Sequence, residues 1–191
     1  MKNTIMNESE MIKGSLKNNR ESQKALYEYY YNKMLGVCLR YSKDSDEAKE
    51  ILHEGFFKVF TNLKNFKTTD SFEEWIKKMM VSSAIDYLNK NKQNLIVSTF
   101  NANKTAVNTF EEISDEDLVL RINKEEILKA VQALTPAYRK VFNLYAIDGY
   151  SHKQISETLD ISEETSESNF SKAKFNLRKN IILETKKNVN N

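Results

Sequence analysis

The sequence predicts an all-α protein built from two small helical domains. Only 4 Gly and 1 Pro interrupt the 191 residues, and apolar residues recur at three- and four-residue spacing rather than alternating. Several of the apolar stretches also begin on a short polar residue suited to capping a helix. A composition of 40% hydrophobic and 29% charged residues belongs to a globular chain with room for one or two small domains.

Residues 1–19 read as an N-terminal segment without a signal-peptide core. Residues 20–91 carry three helices. In "ESQKALYEYYYNKMLGVCLRYS", Leu26, Tyr30, Met34, Val37 and Tyr41 form one apolar stripe. "DSDEAKEILHEGFFKVFTNLKNF" opens on Asp44, Ser45 and Asp46 as candidate N-caps and continues through Ile51, Leu52, Phe56, Val59, Phe60 and Leu63. "DSFEEWIKKMMVSSAIDYLNKNK" has Asp70 or Ser71 as its cap, with Glu73 or Glu74 near the capping-box position. Short loops make these three a compact bundle.

The pattern weakens over residues 92–123, rich in Asn, Thr and Ser, which read as a linker with Leu95, Ile96, Phe100 and Phe110 available to dock. Its end holds Glu111, Glu112, Asp115, Glu116 and Asp117, an acidic run that repels itself and favours an extended tether. Periodicity returns over residues 124–185. Ile127, Leu128, Val131 and Leu134 form a stripe; Thr135-Pro136 starts a helix that closes at Gly149; Ser151 caps the next. After a turn at Asp160 comes a long helix from about Ser162, with Phe170, Ala173, Leu177 and Ile181 on its apolar face. Residues 186–191 read as a polar tail.

Several classes of function lose ground on composition. The single Cys38 cannot form an internal disulfide and reads as a buried small hydrophobe in a reducing compartment. No apolar run reaches the roughly 20 residues that span a bilayer, so a cytoplasmic protein without membrane insertion is expected. No zinc spacing, phosphate loop or nucleophile motif appears, so neither an enzyme nor a cofactor is expected. A net charge of +2 and pI near 8.4 fall short of a protein held on DNA by charge alone, and binding to nucleic acid must come from local patches or a partner.

One such patch lies in "YSHKQISETLDISEETSESNFSKAKFNL", Tyr150 to Leu177. Helix, short turn, helix, with Ile155, Leu159, Ile161 and Phe170 fixing the angle, is the sequence form of a helix-turn-helix. Ser166, Ser168, Asn169, Lys172 and Lys174, with Arg178 beyond, supply short polar and basic groups for a reading face. An ordinary helical hairpin with a solvated face has the same pattern.

Taken together, the two halves resemble a bacterial sigma factor of the extracytoplasmic-function group of the sigma-70 family. "ALYEYYYNKMLGVCLRY", "SDEAKEILHEGFFKVFTNLKNF" and "SFEEWIKKMMVSSAIDYLNK" look like its region 2, including the spacing from Trp75 to Asp86, and "ALTPAYRKVFNLYAIDGYSHKQISETLDISEETSESNFSKAKFNLRK" looks like region 4. The resemblance implies an initiation subunit that binds core RNA polymerase through the β′ clamp helices and the β flap, melts a −10 element and places region 4 on a −35 element. The docking face would be Asp46, Glu50, His53, Glu54 and Phe57, where the family more often has Asp and Gln at the positions of Glu50 and His53. The −10 residues would be Phe66, Lys67, Trp75, Lys77, Lys78, Ser82 and Asp86. Trp75 then either stacks on an unstacked base or packs the domain. The family usually has Asn where Ser82 stands and Arg where Asn89 stands. The acidic linker would thread toward the polymerase cleft.

The −35 face would be Ser166, Glu167, Ser168, Asn169, Lys172, Lys174 and Arg178. Here the chain departs most from the family, which has Gly at Asp160, Gly at Glu164 and a basic residue at Glu167. Asp tolerates the left-handed conformation, so the turn can survive. Glu163 and Glu164 gain from the helix dipole, whereas Glu167 on the reading face weakens the grip on DNA. Two accounts fit. A carboxylate accepts from cytosine N4, giving an unusual base preference; or a second DNA-bound factor, an activator or an RNA-guided, nuclease-inactive DNA binder, assists recruitment. The family also admits an anti-sigma factor as partner. The alternative function is a sigma-like interaction module that sequesters or mimics a sigma factor without touching DNA, against which stand the retained docking helix and Lys172, Lys174, Arg178 and Lys179.

Overall fold

The computed structural model describes residues 6–67, 69, 71–90 and 123–189, the last six of these as helical backbone only. The predicted linker with its acidic run (except its last residue, Asn123), the cap candidate Asp70 and the last two tail residues lie outside them. The described residues are helical, without strands, and the chain divides into two compact units, Met1–Tyr87 and Leu88–Asn191.

Among its described residues the first unit has four α-helices, one more than the sequence reading expects. The addition is α1 (Glu8–Leu16), capped by Asn7, whose Oδ1 accepts from the Glu10 amide at 2.9 Å while Glu10 Oε2 accepts from the Asn7 amide. Met11 and Ile12 are buried, Gly14 lies against Ser22, and Asn18 makes the turn in the left-handed region at φ 59°. Helix α2 (Arg20–Tyr41) buries the predicted stripe Leu26, Tyr30, Met34, Val37 and Tyr41. Tyr30 Oη donates to Glu8, tying α2 to α1. Burying each large apolar side chain contributes about 1.5–3 kcal/mol.

Of the three cap candidates for α3 (Ser45–Asn62), Asp44 does the capping, accepting from the amides of Asp46 and Glu47. This helix buries Ile51, Leu52, Phe56 and Val59, and at Gly55 it meets Met80 of α4 (Phe72–Lys90). No side chain larger than hydrogen fits at Gly55 without moving Met80. Ser71 Oγ accepts from the Glu74 amide at the start of α4. Phe66, Phe72 and Trp75 form an aromatic cluster with centroids 5.0–5.6 Å apart, and Tyr30 packs on Phe72.

The second unit begins with α5 (Lys124–Gln132), closed by a capping box between Asn123 and Glu126. Its predicted stripe is rotated. Ile127 is 41% exposed, and Ala130, Val131 and Leu134 face inward with Leu128 half-buried. The reciprocal bonds to the cap place Glu126 on the buried side, which turns Ile127 out. Arg139 of α6 (Pro136–Phe142) is buried and donates from Nη2 to the carbonyls of Gln132 at 2.6 Å and Leu134 at 2.9 Å, serving acceptors that the end of α5 cannot satisfy itself.

Helix α6 does not run on as a plain α-helix. It widens into a π-helical turn, Asn143–Ile147, with the Asp148 amide reaching back five residues to Asn143 O. Gly149, at φ 74°, then reverses the chain while the Tyr150 amide bonds Leu144 O. Ser151 caps α7 (His152–Leu159) in a capping box with Gln154, and Asp160 adopts the left-handed conformation (φ 53°, ψ 56°). Helix α8 (Glu163–Val189) continues past the predicted Thr185 boundary and packs on α5, α6 and α7.

Candidate nucleic-acid interface

Within the first unit, α3 turns Asp46, Glu50, His53, Glu54 and Phe57 outward together. They stand at i, i+4, i+7, i+8 and i+11, a single stripe at 3.6 residues per turn. Phe57 is 72% exposed at the end of that stripe. A large bare aromatic bordered by carboxylates suits a partner surface that is apolar at its centre and basic at its rim. Glu50 is also held from α4, where Tyr87 Oη donates to Glu50 Oε2 at 2.7 Å.

The predicted −10 residues fall into separate groups, Ser82 and Asp86 against Lys58 of α3, and Phe66 and Trp75 in the aromatic cluster with Phe72. Ser82 and Asp86 are exposed, one helical turn apart on α4. Lys58 of α3 bridges them, its Nζ 2.6 Å from Asp86 Oδ2 and 3.4 Å from Ser82 Oγ. Lys67 and Lys78 are exposed and Lys77 is half-buried. Trp75 is half-buried in the aromatic cluster with Phe66, so one edge serves the core while part of the ring remains accessible. A cavity of about 360 Å³ lies next to Phe66 and Phe72, walled on its other side by Ile12 and Leu16 of α1. The sequence reading missed Lys58 and Tyr87, since nothing local in either stretch announces a partner twenty or more residues away.

In the second unit, α7, the Asp160 turn and α8 form the helix-turn-helix. Ser162 Oγ accepts from the Thr165 amide and starts α8; Glu163 and Glu164 occupy its first turn, where the positive helix end favours them. Glu167, Ser168, Lys172, Lys174 and Arg178 are exposed, and Asn169 is half-buried. Ser166 is not on this face. It is 0% exposed, with Oγ 2.9 Å from His152 Nδ1. At 100° per residue, Ser166 shares its side of the helix with Ala173 and Phe170 and turns away from Glu164, Ser168, Ser171 and Phe175. Phe175, 67% exposed, stands in the middle of the outward stripe and was not among the residues expected there. Its i+11 spacing from Glu164 was available in sequence, but an aromatic in an amphipathic helix reads first as core.

Polar and aromatic contacts tie this unit's surface together. Tyr145 of the π-turn stacks on His152 at 4.2 Å, Phe170 lies 4.5 Å from Tyr145, and Lys174 Nζ sits 5.0 Å above the Phe170 ring. Part of the charge of Lys174 is thus directed at an aromatic face. Among the described residues no group of His, Cys, Asp and Glu side chains has the grouping of a metal site, and no helix is long and apolar enough to cross a membrane.

Comparison with known proteins matches these two units separately. The family model for Sigma-70 region 2 covers residues 26–94, and that for Sigma-70, region 4 covers residues 124–176. The chain is 26% identical over 145 residues to the ECF RNA polymerase sigma factor SigX of Bacillus subtilis, covering 75% of each chain. It is 24% identical over 176 residues to SigW of the same organism, covering 89% of this chain and 94% of that one. Among solved structures, the sigma factor RpoE of Bartonella quintana, crystallised with the anti-sigma factor NepR, aligns with a TM-score of 0.50 at 14% identity over 83% of this chain and 95% of that one. That last likeness concerns fold alone. With both family regions present, in order, and relatives of one kind matched over three quarters of the chain or more, the chain belongs to the extracytoplasmic-function group of the sigma-70 family.

Proposed function

We propose that this sigma factor docks on core RNA polymerase through the α3 stripe, reads a melted −10 element with the neighbouring face of α4, and grips −35 DNA weakly enough that a DNA-bound partner assists its recruitment. The observation that carries the docking assignment is Phe57, exposed alongside Asp46, Glu50, His53 and Glu54. Exposed aromatics flanked by charge are typical anchors of a protein interface. The β′ clamp helices would be the partner of this stripe and the β flap a partner of region 4.

The weak −35 grip is supported by the exposed carboxylates of Glu163, Glu164 and Glu167 at the start of the reading helix. Docked as helix-turn-helix proteins meet bases, each would add negative charge toward a polyanion, and the buried Ser166 adds no polar group there. A partner fixed upstream, whether an activator or an RNA-guided, nuclease-inactive protein, would replace the missing affinity by raising local concentration.

The test is binding of the reconstituted holoenzyme to fork-junction DNA carrying a −10 single strand, with and without upstream duplex. Little gain from the upstream duplex is expected, together with a large gain in initiation when the chain is fused to a protein bound upstream. If upstream duplex supplies most of the affinity, region 4 reads promoters unaided and the recruitment proposal is wrong. An anti-sigma factor would compete for the same α3 surface.

A further inference from the structure

We propose that Lys58 is a positioning residue for promoter reading, holding the Asp86 carboxylate so that it accepts from the exocyclic amino group of one unstacked −10 base. The inference rests on the −10 reading just given and assigns it a base class. Lys58 was not among the expected DNA residues. It lies four residues beyond Glu54 on α3, at the flank of the docking stripe, and its ammonium crosses to α4.

The geometry gives Lys58 three consequences. Its Nζ lies 2.6 Å from Asp86 Oδ2, within charge-assisted hydrogen-bond range, and 3.4 Å from Ser82 Oγ. A carboxylate presented to DNA repels phosphate; the adjacent ammonium offsets that charge. Lys58 also engages Oδ2 and thereby orients the carboxyl group, with Oδ1 on its other side. Finally, a carboxylate is acceptor-only. It favours a base that bears an exocyclic amine, N4 of cytosine, N6 of adenine or N2 of guanine, over thymine, whose exocyclic polar groups are carbonyl oxygens. Lys58 touches no base in this arrangement; it acts through Asp86.

The experiment assembles core polymerase with the full chain and selects from single-stranded DNA oligonucleotides randomised over the −10 window, sequencing the bound fraction. The wild-type holoenzyme should select against T at one position by about tenfold relative to the three amine-bearing bases. Lys58→Met, which keeps the alkyl stem and helix propensity, should reduce that preference to about twofold or less, Lys58→Arg should restore it, and Asp86→Asn should erase it. A preference lost in Asp86→Asn but retained in Lys58→Met overturns the role of Lys58 alone. So does a uniform loss of binding to every sequence in Lys58→Met, the behaviour of a phosphate contact. If the wild type selects no sequence, the −10 reading itself fails and this inference falls with it. Far-UV circular dichroism on each variant separates these outcomes from misfolding, and a Lys58→Arg holoenzyme that folds yet lacks the preference also counts against the proposal.

Discussion

His152 Nδ1 lies 2.9 Å from Ser166 Oγ, joining the first helix of the helix-turn-helix to the second. The imidazole stacks on Tyr145 on one side, so a polar bond and a ring contact converge where two helices must hold a fixed angle. A buried hydroxyl with such a partner contributes about 0.5–1.5 kcal/mol. Ser166→Ala should therefore lower the unfolding free energy by about 1 kcal/mol in urea titration, leaving the salt dependence of DNA binding unchanged. A changed salt slope with unchanged stability would put Ser166 on the DNA face after all.

Phe57→Ala removes an exposed ring and should leave stability within about 0.5 kcal/mol of wild type. Its affinity for core polymerase should fall by about 2 kcal/mol, the scale of an interface anchor. The double substitution Glu50→Ala with His53→Ala should weaken the same association. Unchanged affinity in titration calorimetry for all three changes would remove the α3 stripe from the interface.

Glu167→Lys exchanges a repulsive charge on the reading helix for an attractive one. Binding to −35 duplex should tighten, and the slope of log K against log salt should steepen by about 0.9 or more. Fluorescence anisotropy at several salt concentrations reads both quantities. If neither moves, Glu167 points away from the phosphates in the complex.

Gly14→Ala should loosen α1. The added methyl would overlap the Ser22 hydroxyl and lie 2.6 Å from Ser22 Cβ, which the α2 backbone holds in place. Overpacking of this kind costs about 1–3 kcal/mol, and hydrogen exchange should rise first over Glu8–Leu16. Uniform exchange protection in the variant would show that α1 docks without that close approach.

Cys38 is fully buried, and desolvation pushes its thiol up to about 12. At pH 8 the folded protein should therefore hold almost no thiolate, the species that reacts. A disulfide-exchange reagent should label Cys38 only as denaturant unfolds the first unit. Rapid labelling of the native protein would contradict the buried placement.

Helical class, the order of the elements and most caps were legible because they are local. Asp44, Ser71 and Ser151 cap the helices they precede, and Gly149 and Asp160 take the left-handed turns expected of them. Helix α1 was missed, although its Asn7–Glu10 capping box stands in the sequence, because its apolar content is low and its contacts with α2 run through Glu8, Gly14 and Ser15 as well as the buried Met11 and Ile12. The π-turn was invisible for a different reason. It depends on a backbone ladder that lengthens after Asn143, whose side chain donates to the Arg139 carbonyl at 2.9 Å. On the candidate interface, helical spacing alone grouped the α3 stripe. It misplaced Ser166, since a serine between Thr165 and Glu167 gives no sign of burial, and the Lys58–Asp86 and Tyr87–Glu50 pairs join residues 28 and 37 positions apart.

The most direct test of the central claim is run-off transcription on a genomic fragment library with purified core polymerase and this protein alone. The account predicts discrete start sites, absent with core polymerase by itself, that share a common element about ten bases upstream. Start sites no different from those of core polymerase alone, despite formation of the complex, would contradict it.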